Sequence, residues 1–333
     1  MLCCGSHSGL VHETRTYVSS LLGCGPEGVP IRVRLGTVFV AEGQMALRPL
    51  SDVQFIVGGP PGTLDHPEGV TWGPDGFAYA GGEAGQIYRI DIEAKSFEEI
   101  AKLTGFVAGL CCDRDSNIYA CNITEQRLFR VTADGDISEV SAGTDRVPMK
   151  VPNYPCFHPS GDLYVSDSET GGESSGCVFR VTRTGETVFF SDASPKFTNG
   201  LCVDRSGEWL YVVESRLPGV SRIRIHDDGS AGERQVVATL PDHVPDGVQF
   251  DEEGVLYITM YTPDRIYRLY PDGGLELLVE DPTHETLSSP TNIAFGGPDR
   301  RMLLMSSLGR WQITGLRVEV PGLPLNYGAP IGD

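Results

Sequence analysis

Five oxygen-bearing side chains fall at similar points of a recurring pattern: Glu68 in HPEGV, Asn153 in VPNYP, Asn199 in TNGL, Asp246 in PDGV and Asn292 in TNIAF. The intervals between them are 85, 46, 47 and 46 residues, and the first divides into two shorter repeats with Gly109 of VAGL between them. Residues at one phase of a repeat array come together in space, so these polar atoms are expected to meet at one point. Glu68, Asn153, Asn199 and Asp246 would supply two carboxylates and two amide oxygens. That is a hard, all-oxygen set suited to one divalent cation, Ca²⁺ first, with Zn²⁺, Mn²⁺ or Mg²⁺ as alternatives where water completes the shell. The two carboxylates would neutralise the ion; without it they would repel, and one would take up a proton. The competing reading is that Asn and Asp merely form turns before strands, their commonest use. Recurrence of a polar residue at one phase of separate repeats weighs against it.

The elements that must position these residues share one pattern: a loop, Gly, two or three apolar residues, an Asp or Pro turn, Gly, then an apolar and aromatic strand. Six units follow it, from Glu68, Ala108, Asn153, Asn199, Asp246 and Asn292. A third strand comes after most of them, as in QIYRID (86–91), RLFRVT (127–132), CVFRVT (177–182), SRIRIH (221–226) and RIYRLY (265–270). A turn such as TADG or YPDG then leads to a fourth strand such as DISEV, ETVFF or LELLV. Four strands in about forty-six residues, repeated six times, predict an all-β chain folded as a six-bladed β-propeller with a central metal-binding channel. VQFIV (53–57) has no inner partners of its own and is expected to complete the blade opened by Asn292. The propeller is assigned to residues 46–333 and an amino-terminal extension to 1–45, whose only strong β signal is 31–41. SETGGESSG (168–176) interrupts a blade, either as a surface loop or as a lid over the site.

The 333 residues include 41 Gly and 23 Pro, which favours many short strands joined by turns. A net charge of −19 and a pI near 4.7 give no footprint for nucleic acid or an anionic membrane, so neither partner is expected. No run reaches the length of a spanning helix, and the opening MLCCGSHSGL has neither a basic region nor a sustained apolar stretch; the expected location is cytoplasmic. The nine cysteines include no CxxC pair, and Cys112, Cys156 and Cys202 fall on strands, so reduced core thiols are expected rather than a disulfide framework or a thiolate zinc site. His158, His243 and His284 lack HxxxH-type spacing, and no GxSxG elbow occurs. Arg89, Arg130, Arg180 and Arg268 recur at one phase of the third strands, as expected for interblade or surface pairing.

PEGV (67–70), TNGLCVD (198–204), PDGVQFDEEGVLYI (245–258) and PTNIAFGGPDRRMLLMSS (290–307), with GLRVEVPGLP (315–324), carry a resemblance over roughly residues 50–325. The chain resembles the gluconolactonase, senescence marker protein and luciferin-regenerating enzyme family of six-bladed propellers. That resemblance implies a divalent cation in the channel and hydrolysis of a lactone, a small-molecule substrate. It places the family's metal-binding glutamate on Glu68, its NG asparagine on Asn199 and its PDG aspartate on Asp246, with Asn153 at the metal or against the substrate. The chain departs from the family's pattern at Val70, where Pro is usual, and at Tyr154 and Pro155, where Asp-Gly is common. Val151 and Pro152 also replace the basic residue that sugar-lactone enzymes often carry, which points to a more apolar or aromatic ring. Tyr154 is therefore assigned to substrate contact, and Asn292 either to substrate contact or to support of the metal ligands. The ion would polarise the lactone carbonyl and activate water, with Asp246 as general base and His66 as the alternative, unless His66 is only a structural loop residue. Phosphotriester or aryl ester hydrolysis at the same ion, and a non-hydrolytic binding module, remain open, as does a homo-oligomer.

Overall fold

Strands covered on both sides by other strands are buried along their length and mostly apolar, whereas rim strands can be polar. A computed structural model, which describes residues 46–59, 64–169 and 175–332, follows this rule. The expected extension at 1–45, with its strand-like run, lies outside the described residues, as do residues 170–174 of the proposed lid. The first described strand, β1 (Gln54–Gly58), follows a three-residue 3-10 turn, the only helical element among the described residues. The first blade is then β2 (Val70–Trp72), β3 (Ala78–Gly81), β4 (Gln86–Asp91) and β5 (Ser96–Lys102). The second is β6 (Val107–Cys112), β7 (Ile118–Asn122), β8 (Arg127–Val131) and β9 (Ile137–Ser141). The third is β10 (Pro152–Phe157), β11 (Leu163–Asp167), β12 (Cys177–Val181) and β13 (Thr187–Ser191). The fourth is β14 (Thr198–Val203), β15 (Trp209–Glu214), β16 (Gly219–Ile225) and β17 (Ala231–Thr239). The fifth is β18 (Val244–Phe250), β19 (Leu256–Thr262), β20 (Arg265–Leu269) and β21 (Leu275–Glu280). The sixth is β22 (Pro290–Gly296), β23 (Met302–Ser307) and β24 (Gln312–Arg317), completed by β1.

Every blade is an antiparallel meander, and the protein is the all-β, six-bladed propeller that the repeat count predicts. The ring closes through β1, which pairs with β24 from Gln54 opposite Gly315 to Gly58 opposite Gln312. Inner strands such as β6 and β14 are buried at every position, while the rim strand β5 is not fully buried at any. Between each pair of neighbouring blades lies one apolar cluster, six in all among the described residues. Ile258 illustrates one of them: it is fully buried between the fourth and fifth blades, and such a side chain contributes about 1.5–3 kcal/mol by leaving water. The Asp turns between first and second strands close on themselves. Asp113 accepts the N–H groups of Asp115 and Asn117, Asp204 those of Glu208 and Trp209, and Asp251 those of Glu253 and Val255. All six described cysteines are free thiols and five are buried.

One irregularity positions the site. In five inner strands, two residues lie opposite one residue of the second strand. Thr198 pairs with Glu214 and Leu201 with Val212, leaving Asn199 and Gly200 opposite Val213. The same bulge sets Ala108 and Gly109 opposite Cys121, Asn153 and Tyr154 opposite Ser166, Asp246 and Gly247 opposite Thr259, and Thr291 and Asn292 opposite Ser306. A β-bulge re-aims the side chain it carries. The second bulge residue is usually glycine because the next blade is too close for a side chain. A Cβ on Gly200 would lie 2.5 Å from the Asp246 carbonyl, and one on Gly69 would lie 2.6 Å from that of Ala108.

Candidate metal centre

The inner strands β2, β6, β10, β14, β18 and β22 contact one another in a closed ring around the channel. The first bulge residues of five blades, Ala108, Asn153, Asn199, Asp246 and Thr291, therefore belong to one circle. Glu68 takes the same place in the first blade, since a Cβ on Gly69 after it would meet Ala108 and Gly109 as one on Gly200 would meet Asp246 and Gly247. Blade register corrects two expectations here. Gly109 and Asn292 are second bulge residues, one step past the circle. A Cβ on Gly247 would meet the Thr291 carbonyl at 2.7 Å and the Asn292 Cα at 2.8 Å, the relation Gly200 has to Asp246 and Gly247.

Glu68, Asn153, Asn199 and Asp246 are each at most 7% exposed. Each also buries one side-chain oxygen that has no hydrogen-bond partner: Glu68 Oε2, Asn153 Oδ1, Asn199 Oδ1 and Asp246 Oδ1. An unpartnered buried acceptor costs about 1–3 kcal/mol, more if charged, so four on one circle need a positive species to face. Burial pushes the Glu68 carboxyl well above its usual range, and the Asp246 charge adds to the rise. Burial also raises Asp246 to about 8, against a hydrogen bond from Asn199 that lowers it. Two carboxylates this close and this dry cannot both ionise unless a cation neutralises them. Two negative charges and two neutral amide oxygens fit a divalent, oxygen-seeking ion.

The other candidate residues fall around this circle. Asn292 Nδ2 donates to the Glu68 main-chain oxygen at 3.3 Å and to Oε1 at 3.4 Å, so it holds the glutamate in place. Tyr154, the second bulge residue of its blade, is buried, and its phenol bonds Gln249 of the fifth blade. Its ring lines a cavity of about 40 Å³ with Thr71, Cys111, Cys112, Cys156, Cys202 and Gln249, further along the inner strands than the circle. His66 sits outside the circle. Its Nδ1 is 3.0 Å from Glu83 Oε2 and 3.3 Å from Asp65 Oδ1, and its ring packs 4.7 Å from that of Trp311. The three polar groups lie within 4.8 Å of one another. Here the imidazole Nδ1 faces the two carboxylates, and the ring is already engaged by Trp311. The recurrent arginines pair within or beside their blades: Arg89 lies over Phe77 and near Glu98, and Arg268 pairs with Glu276.

Residues 66–309 match the family described as SMP-30/Gluconolactonase/LRE-like region. The chain belongs to this family. Among proteins similar to this family member is 6-deoxy-6-sulfogluconolactonase of Pseudomonas putida, 31% identical over 141 residues, which are 38% of this chain and 47% of that protein. A second is pentonolactonase of Haloferax volcanii, 27% identical over 249 residues, 73% of this chain and 81% of that one. Among solved structures, regucalcin of Agrobacterium tumefaciens, described as a calcium-binding protein, superposes with a TM-score of 0.66 at 19% identity, covering 86% of this chain and 100% of that one. No helix among the described residues is long and apolar enough to cross a membrane.

Proposed function

We propose that the protein is a metal-dependent hydrolase that opens a small lactone at the circle formed by Glu68, Asn153, Asn199 and Asp246. The observation that carries this reading is the set of four buried, unpartnered oxygens, one from each of four blades. Membership of the family and the lactonase names of two relatives support the substrate class. Ca²⁺ is the preferred ion, because the donors are all oxygen. A bound divalent ion supplies Lewis-acid polarisation of a carbonyl and lowers the pKa of water. Glu68 and Asp246 supply the compensating charge, and the Asn153 and Asn199 amides contribute oxygens without adding more. Asp246, ionised when the cation is bound, also accepts the proton of the attacking water. Asn292 keeps Glu68 oriented, and Tyr154 closes the channel beneath the circle. His66 and the more apolar ring preference at Tyr154 belong to the same reading as secondary elements. A cytoplasmic location does too, supported by the unpaired thiols.

The test is hydrolysis of a panel of sugar and non-sugar lactones, an aryl ester and a phosphotriester, after chelation and readdition of Ca²⁺, Mn²⁺, Zn²⁺ or Mg²⁺. Lactone turnover should vanish on chelation and return with one of these ions. Asp246→Ala and Glu68→Gln should each lower it by about 10²-fold or more. Full activity in the chelated protein, or in both variants, eliminates the reading. Turnover of the phosphotriester alone moves the substrate class but keeps the site.

A further inference from the structure

Hydroxyl groups on one blade reach the cation circle of the next. Ser168 Oγ donates to the Thr198 carbonyl at 2.6 Å, and Ser215 Oγ to that of Pro245 at 2.7 Å. Thr259 Oγ1 donates to the Thr291 carbonyl, and Thr291 Oγ1 and Ser306 Oγ both reach the Glu68 carbonyl, at 2.5 and 2.6 Å. Each acceptor is a circle residue or the residue just before one. No such hydroxyl is seen from the first blade to the second, where the circle residue is Ala108, or from the second to the third, where it is Asn153, among the described residues.

Ser215 does more than its counterparts. Besides donating to Pro245, it accepts a hydrogen bond from Asn199 Nδ2 at 3.1 Å. A hydroxyl has one proton and two lone pairs. Because that proton is committed to the Pro245 carbonyl, Ser215 can only accept from Asn199. The amide must therefore turn its NH₂ toward Ser215, which leaves Oδ1 as the buried oxygen without a partner. The same hydroxyl fixes the backbone immediately before Asp246. We propose that Ser215 is a positioning residue for the cation: through one buried hydroxyl it orients Asn199 and anchors Asp246, ligands on two different blades. The inference rests on the cation reading above. It adds a residue that touches neither ion nor substrate but sets the geometry of both ligands, as outer-shell hydrogen bonds do in metal sites generally.

Calorimetric titration of the metal-free protein with CaCl₂ tests it, with wild type compared with Ser215→Ala, Ser215→Thr and Ser141→Ala. Ser141 is the control, since it bonds Thr187 across outer strands, away from the circle. Ser215→Ala should weaken Ca²⁺ binding by about 10–100-fold. Ser215→Thr, which keeps a hydroxyl, should recover most of the affinity, and Ser141→Ala should match wild type. Unchanged affinity in Ser215→Ala overturns the positioning role while leaving the cation reading intact. A wild type that releases no heat with CaCl₂ overturns both. If Ser215→Ala does not fold, Ser215→Cys, similar in size but a weak hydrogen-bonding group, takes its place. If neither folds while Ser215→Thr does, the hydroxyl is a folding element and the positioning role falls.

Discussion

Burial raises the folded-state pKa values of Glu68 and Asp246, and the Asp246 charge raises Glu68 further, so their effect on stability has a definite sign. An unfolded aspartate titrates near pH 3.9. Between about pH 4 and about pH 8 the metal-free native state therefore holds more protons than the unfolded chain, and stability falls as pH rises through that window. A cation favours the ionised pair and competes with those protons. We expect the melting temperature of the chelated protein to drop from about pH 5 to about pH 8, and CaCl₂ to restore more of it at the upper end. Asp246→Asn removes one titrating group and relieves Glu68 of a like charge, so its chelated profile should be flatter. Thermal melts across that range decide the matter, and a wild-type profile as flat as the variant's contradicts the coupling.

At the scale of the strand, the bulge converts a repeat into a site. It places one side chain in the circle and leaves the next residue against the neighbouring blade. Gly247 shows how little room remains, because an added Cβ would lie 2.6 Å from Asn292 Oδ1 and 2.7 Å from the Thr291 carbonyl. Asn292 is also the residue that holds Glu68. Gly247→Ala should therefore cost about 1–3 kcal/mol, as overpacking does, and also weaken cation binding through Glu68. Urea unfolding and Ca²⁺ titration of this variant measure the two effects; a fully stable Gly247→Ala with wild-type affinity would show that the blades can separate freely. The bulge also explains what could be read from the sequence. Strand segments such as RLFRV and ETVFF were legible because alternation and turn residues are local. Glu68, Asn153, Asn199 and Asp246 were legible because their oxygen chemistry recurs. Gly109 and Asn292 slipped by one residue because the true circle members, Ala108 and Thr291, carry neither amide nor carboxylate, so counting polar types passed over them. Ser215, Thr259 and Ser306 stand in plain view in VVES, ITMY and LMSS, but a strand hydroxyl has no role until a neighbouring blade supplies its acceptor.

Over the whole ring, the two ends of the channel are treated differently. Beyond β24 the chain turns across the end opposite the cation circle and ties several blades together. Leu323 N donates to the Phe250 carbonyl at 2.8 Å, and the Tyr327 hydroxyl to that of Trp72 at 2.9 Å. Asn326 Nδ2 reaches the Phe157 carbonyl at 3.2 Å, the Gly328 carbonyl accepts from Arg114 N, and Ile331 N donates to the Tyr119 hydroxyl. The fifth, first, second and third blades are thereby tied to one segment, whose residues 323–327 also wall the small cavity under Tyr154. Each of these hydrogen bonds contributes about 0.5–1.5 kcal/mol net, so the segment should matter for stability as well as for sealing. Removing residues 323–333 should lower the melting temperature and open the cavity to solvent. Cys111, Cys112, Cys156 and Cys202, which line it, should then react with a maleimide at least about tenfold faster, because labelling follows access to the thiolate. Cys121 lies on a second strand outside the cavity and serves as the internal control. Peptide mapping by mass spectrometry reads all five sites at once. Faster labelling confined to the four cavity thiols supports a sealing role for the segment, equal acceleration at Cys121 points to general loosening instead, and unchanged rates mean that the far end is closed by the blades themselves.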